Sequence, residues 1–192
     1  LATSRGLNIS TDGGSTFVNR TEIDGLGSRY VRSIFASGST VYAATAGGGL
    51  SISTNGGSAF VNRSTSNGLG SNDVLGVFAS GGTVYAATVG GLSISTDGGS
   101  TFVNRTSSNG LGSNTVRGVF ASGSTVYAAT SNGLGISTDG GSTFVNRSTS
   151  NGLGSNFVRG VFALGSTVYA ATTGGLSIST DGGSTFVNRS TS

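Results

Sequence analysis

Residues 83–124 read TVYAATVGGLSISTDGGSTFVNRTSSNGLGSNTVRGVFASGS, and residues 125–166 repeat them with seven changes. The turn residue of this stretch recurs as Asp12, Asn55, Asp97, Asp139 and Asp181, one step of 43 (12 to 55) followed by three of 42. A near-constant period of this size marks one supersecondary unit set down many times, each copy leaning on its neighbours. The chain therefore reads as a single domain, 1–192, of units at approximately 1–39, 40–82, 83–124, 125–166 and 167–192.

Four runs in the repeat have strand character: VRGVFA (116–121), TVYAAT (83–88), LSIST (92–96) and TFVNR (101–105). Leu92 and Ile94 alternate with Ser93 and Ser95, the period of two that a pleated strand imposes. Both faces of TVYAAT are small or apolar, as expected of a strand covered on each side. The junctions are turn chemistry: Ser122-Gly123-Ser124, Gly90-Gly91 and Asp97-Gly98-Gly99. Glycine supplies the positive φ of tight turns, and an aspartate carboxylate accepts from the N–H groups just after it. Three hairpins in succession make a meander sheet, and nothing has helical periodicity. The expected fold is all-β, a β-propeller of four-stranded antiparallel blades. Strand types count to about five blade positions, four complete blades plus an N-terminal half blade.

With 36 glycines among 192 residues, composition alone would suggest a linker. Fixed apolar offsets in every unit argue against that, since a solvated linker has no reason to keep them. One unit buries too few large side chains to offset the ordering of some forty residues, so the units must stack. All ten basic residues are arginine, seven acids leave a net charge of +3, and Lys, His, Cys, Met, Trp and Pro are absent. No arginine run supports a nucleic-acid footprint, no cysteine supports a disulfide or thiolate site, and no apolar stretch is long enough to span a bilayer.

The hairpin Ser95-Thr96-Asp97-Gly98-Gly99-Ser100-Thr101-Phe102 resembles the Asp-box, S-x-D-x-G-x-T-W/F, of BNR-type, sialidase-like propellers. It is intact at 10–17, 95–102, 137–144 and 179–186. The copy at 53–60 departs with Asn55 and Ala59, so that turn is expected to be weaker. The other half of the unit, Asn109-Gly110-Leu111-Gly112-Ser113-Asn114 before Val116, then Val126-Tyr127-Ala128-Ala129-Thr130 and Gly133-Leu134, is similar to propeller repeats of bacterial sensor ectodomains. There glycine stands here for proline and tyrosine for tryptophan. Together the resemblances imply an exported bacterial propeller, extracellular or at the cell surface; residues 1–192 carry no signal-peptide pattern.

Sialidase resemblance further implies an arginine triad for a substrate carboxylate, a Tyr/Glu nucleophile pair and an acid/base aspartate. Arg32, Arg117 and Arg159 share one repeat position, filled by Leu75 in the second unit, and would converge near the axis if VRGVFA is the innermost strand. They are read either as ligand-binding groups or as polar lining of a wet channel. Glu22 is the only glutamate, and outside the turns only Asp24 and Asp73 remain, so a carboxylate pair for glycoside hydrolysis is hard to assemble. Without His, Lys or Cys the usual bases and nucleophiles are missing too, and the chain is expected not to be an enzyme. Asp12, Asn55, Asp97, Asp139 and Asp181 are assigned as structural turn residues. Each lies a whole unit from the next, so neither a bound metal nor any cofactor is expected. Asn19, Asn62, Asn104, Asn146 and Asn188 match the N-glycosylation pattern through the repeat, and in a bacterial chain are expected to be unmodified.

The chain opens at the end of a second strand and stops after a fourth, so a first blade would lack its inner strand. A longer propeller, an incomplete blade, or a second copy covering the edge would each account for this, and self-association is expected. The expected function is that of a non-catalytic, multivalent binding module, most specifically lectin-like recognition of a glycan or surface polymer. The alternatives are a structural or assembly repeat, natural or designed, and a sialidase-like glycosidase relic.

Overall fold

The computed structural model describes residues 1–190. All strand pairing is antiparallel and follows chain order. Blade two comprises Val31–Ser37, Thr40–Thr45, Gly49–Ser53 and Val61–Arg63. Blade three runs Val74–Ser80, Thr83–Thr88, Gly91–Ser95 and Val103–Arg105; blade four runs Val116–Ser122, Thr125–Thr130, Gly133–Ser137 and Val145–Arg147. Blade five runs Val158–Leu164, Thr167–Thr172, Gly175–Ser179 and Val187–Arg189. Among the described residues blade one has three short strands, Ala2–Thr3, Gly6–Ile9 and Val18–Arg20, and no inner strand. This is the all-β propeller array of about five blades that the repeat implied. Each full blade is continuous in the chain but straddles two of the sequence units, because the sheet begins at VRGVFA and the units were cut at TVYAAT.

The VRGVFA strands of neighbouring blades lie side by side at the axis. A Cβ on Gly76 would stand 3.1 Å from the Arg117 carbonyl oxygen, and one on Gly118 would stand 3.3 Å from that of Arg159. Glycine at these two positions lets the inner strands approach closely; blade two has Ser33 there. Outward from the axis, the faces of adjacent blades form a separate apolar core at every joint. Tyr85, Ala87, Leu92 and Ile94 of blade three pack on Val116, Val126, Ala128 and Phe144 of blade four, with Leu111 from the connecting loop. The joints between blades two and three and between four and five repeat the same set. Burying these side chains is the main stabilising term, at about 25 cal/mol per Å² of apolar surface.

Arginine bolts the joints together. Arg63 Nε donates to the Gly99 carbonyl (2.7 Å), Arg105 to Gly141 (2.9 Å) and Arg147 to Gly183 (2.9 Å), each reaching the turn of the next blade. Nothing in one unit's sequence announces this role, because donor and acceptor belong to different copies.

Two local expectations need correction. The outer strand holds only three residues, Val103–Arg105, where five were expected. Thr101 is held in the turn by Asp97, and Phe102 leaves the sheet to bury its ring, its N–H donating to the Asn67 carbonyl (2.8 Å). The connection between blades also contains a 3₁₀ turn, at Glu22–Asp24, Thr65–Asn67, Ser107–Asn109 and Thr149–Asn151, that periodicity could not show in three residues. The NGLGSN sequence is its cap. Asn109 Oδ1 accepts from Thr106 N (3.0 Å), Gly110 takes φ 94°, Leu111 is buried, and Asn114 Oδ1 accepts from Ser107 N (2.8 Å). In the first unit charged groups take over, with Asp24 receiving Thr21 N and Glu22 receiving Arg29 N. Among the described residues no helix is long and apolar enough to cross a membrane.

The glycosylation-pattern asparagines pin the turn between second and third strands. Asn104 Nδ2 donates to the Gly90 carbonyl (2.8 Å), while its Oδ1 accepts from Ser93 Oγ (3.1 Å). In blade four Gly135 replaces that serine, and Asn146 Oδ1 is left buried without a partner. Gly135→Ser restores that buried hydrogen bond but brings its Cβ to 2.9 Å from Leu111 Cδ2, the end of a flexible side chain that must shift, so the unfolding free energy in urea titrations is expected to rise by less than about 1 kcal/mol. Leu134 and Leu176 occupy the same repeat position, yet Leu134 is fully buried and Leu176 is 41% exposed. Leu134→Ala should cost about 2–5 kcal/mol and Leu176→Ala less than about 1 kcal/mol in the same measurement.

Candidate functional site

In every complete blade the inner strand carries a register shift after its first residue, at Val31/Ser33, Val74/Gly76, Val116/Gly118 and Val158/Gly160. The residue between has no partner across the ladder, which is a β-bulge. Those extra residues are Arg32, Leu75, Arg117 and Arg159. A bulge re-aims its side chain away from the normal alternation, so valine before it stays buried while arginine after it reaches solvent. The three arginines thus belong to one end of the array, at the start of the axial strands, but they do not form the converged triad.

Arg117 and Arg159 share a single aromatic ring. Their guanidinium carbons lie 4.1 and 5.4 Å from the centroid of Phe157, which precedes the inner strand of blade five. Arg117 Nε also donates to Ser131 Oγ (3.2 Å). Arg32 stands apart, in an ion pair with Asp73 of blade three (3.0 Å). A cation held over an aromatic face keeps its N–H edge free for a ligand, whereas a cation paired with a carboxylate is largely neutralised. Two arginines and a ring therefore make the electropositive part of this mouth.

A further signal was open to sequence reasoning and was missed. Between near-identical copies the chemistry diverges most at the residue before the inner strand, which is Tyr30, Asp73, Thr115 and Phe157, and at the second-to-third strand turn, which is Ala46, Val89, Ser131 and Thr173. These two positions meet in space. Ala46 N donates to Tyr30 O, Val89 N to Asp73 O, Ser131 N to Thr115 O and Thr173 N to Phe157 O, at 2.9–3.2 Å. Variation between copies is thus concentrated on the end that also carries the bulged arginines, while the scaffold elsewhere is nearly invariant.

The turn acids behave differently. Asp97 Oδ1 accepts from Ser95 Oγ (2.6 Å) and from the N–H groups of Ser100 and Thr101, and Oδ2 accepts from Thr101 Oγ1 (2.7 Å). Asp139 and Asp181 repeat the pattern, and Asp12 keeps most of it. Asn55 retains Ser53, Ser58 and Ala59 as donors but has neither a second carboxylate oxygen nor a threonine hydroxyl to receive. Among the described residues no three side chains of metal-ligand type come together.

No family model matches the chain, and no curated protein matches it. Solved structures do. The chain is similar to the extracellular domain of B. thetaiotaomicron BT3049, described as a hybrid two-component system, at 18% identity and TM-score 0.73, over 97% of this chain and 27% of that one. It is similar to an ancestral GH74 enzyme at 21% identity and TM-score 0.67, over 84% and 24%. The GH74 enzyme of Niastella koreensis matches at 21% and TM-score 0.65, over 97% and 29%. The chain spans about a quarter of the length of each. These proteins are β-propellers, and at such identities the likeness shows the fold alone.

Hydrogen bonds to the ionised form hold Asp97, Asp139 and Asp181 far below the ordinary carboxylate range, Ser95, Ser137 and Ser179 being the leading donors; in Asp12 the leading donor is Thr16. A depressed folded pKa stabilises the fold above the unfolded value and loses that contribution as pH falls toward the folded one. The melting temperature is therefore expected to drop progressively below about pH 4. Replacing the four aspartates by asparagine should lower the neutral-pH value and flatten the acid limb, as followed by circular dichroism.

Proposed function

We propose that this chain is a non-catalytic binding module of an exported protein, and that it grips an acidic glycan or surface polymer at the mouth of its inner strands. The observation that carries the reading is the coincidence of bulged arginines with the positions where the copies diverge. Stacking alone does not call for Tyr, Asp, Thr and Phe at equivalent sites. A binding surface gains from them, because ligand contacts need differ from blade to blade. Arginine over Phe157 favours a planar anion such as a carboxylate, which takes two parallel N–H donors from one guanidinium.

This makes the mouth one composite site in place of several equivalent ones. Multivalency then comes from the polymer, which offers many carboxylates to it. The Asp-box assignment of the turns goes with this reading, as does an extracellular setting, which the BT3049 ectodomain's description supports. The GH74 proteins are described as enzymes, and catalysis is no part of this reading. The mouth contributes one carboxylate, Asp73, and Arg32 holds it in an ion pair.

Titration with polygalacturonate, and with dextran as the neutral control, tests the proposal by calorimetry. The acidic polymer should bind in a salt-sensitive way and dextran should not. Arg117→Ala combined with Arg159→Ala should weaken binding by roughly tenfold or more, and neither polymer should be cleaved. Equal binding of both polymers, no binding of either, or indifference to the arginine pair would overturn it.

A further inference from the structure

Among the four joints between consecutive blades, the one joining blades one and two is not bolted. Arg20 is the repeat counterpart of Arg63, Arg105 and Arg147, and Gly57 that of the acceptors Gly99, Gly141 and Gly183. Arg20 instead turns Nη1 to Asp24 Oδ1 (3.3 Å). That acid is particular to the first unit, the others having Asn67, Asn109 and Asn151 at the same position. Arg20 Nε is left buried, with no hydrogen-bond partner among the described residues, so it does not reach the Gly57 carbonyl. Between the guanidinium and the Gly57 turn lies a recess of about 170 Å³, walled by Ile9 and Val18 and flanked by Thr11 and Ser58. At the other three joints the arginine bridges the same gap. Val18 is 53% exposed, and Val103 and Val145, in blades flanked on both sides, are 58% exposed, so this wall is as open as that of an interior blade.

We propose that this recess binds a small neutral polyol, the size of one pyranose ring, through the two groups that the missing bolt leaves unmatched. Arg20 Nε is a buried donor and Gly57 supplies a buried acceptor. A buried donor without a partner is costly, so the site gains from a ligand that supplies one. A hydroxyl accepts through its lone pairs and donates its proton, and a ring with neighbouring hydroxyls meets both groups at once. Its C–H face packs on Ile9 and Val18, and its remaining hydroxyls reach Thr11 and Ser58. Asp24 balances the charge of Arg20, so an anion has no special claim on this site, in contrast to the mouth. The volume is the share of about six waters at ~30 Å³ each, which suits one ring and excludes a polymer segment such as the linked units of dextran. The site is thus distinct from the mouth both in place and in ligand.

Titration of the chain with D-glucose, followed through the arginine Nε–H signals in nitrogen-edited NMR spectra, tests the proposal. The Arg20 signal should shift saturably, with a Kd on the order of millimolar, while the signals of Arg63, Arg105, Arg147, Arg117 and Arg159 stay in place. Asp24→Asn gives the first unit the residue of the others, frees Arg20 to bolt onto Gly57, and should weaken glucose binding by roughly tenfold or more. Arg20→Lys keeps the charge and removes the Nε donor. It should weaken binding to a similar degree, read from the sugar's own resonances by saturation transfer, which keeps the test available if Asp24→Asn unfolds. No saturable shift at Arg20, equal shifts at the bolting arginines, or folded variants that bind glucose as the parent does would each overturn the proposal.

Discussion

Everything in this molecule rests on close approach of one sheet face to the next. A four-stranded meander has two apolar faces and no helix to cover either, so each blade depends on packing against its neighbours. Close approach demands small residues at the centre of the sheet, and the paired Ala86-Ala87 and Ala128-Ala129 provide them, fully buried. At the axis Gly76 and Gly118 stand where an added Cβ would come within 3.1–3.3 Å of the neighbouring backbone, while blade two has Ser33 at this position. Large side chains fill the rest of each joint: the inner-strand rings Phe35, Phe78, Phe120 and Phe162 stack on one another at 5.0–5.2 Å, and leucine and phenylalanine close the joint farther out.

Much of this was legible from one unit. Alternation in LSIST, the doubly apolar TVYAAT and the Asp-Gly-Gly turn are local signals, and local chemistry decides them. The bulge at Arg117 was not legible, because VRGVFA read as an even strand gives no reason to leave one residue unpaired. The bolts from Arg63 to Gly99 and their equivalents were also hidden, since the partners lie thirty-six residues apart in different copies. The contact of Arg117 with Phe157 is of the same kind, made across a joint, whereas Arg159 is two residues from that ring in the same blade. A single sequence with internal copies nonetheless contains its own comparison. Tyr30, Asp73, Thr115 and Phe157 could have been singled out by asking where the copies disagree.

Division of labour between scaffold and mouth follows from the repeat itself. A change in a joint residue weakens one interface, while a change at the bulged end alters only what that end presents. The likeness to sensor ectodomains and to GH74 enzymes at about one residue in five agrees with a fold that accepts many surfaces. On the proposed reading, what this chain binds is decided by a few residues at one end, and its fold by nearly all the rest.

Interchangeable joints have a kinetic side. When blades three, four and five present the same face, a folding chain has little to tell it which sheet follows which, and a blade could dock one position too far along. Skipping one copy costs little extra closure entropy, since doubling a loop adds only about 0.6 kcal/mol. Departures from the pattern then act as address labels. Asn55 with Ala59, Gly135 in place of serine, and the charged Glu22, Asp24 and Arg29 distinguish otherwise matching neighbours. Small losses of stability at those places can be the means by which the array assembles in the right sequence.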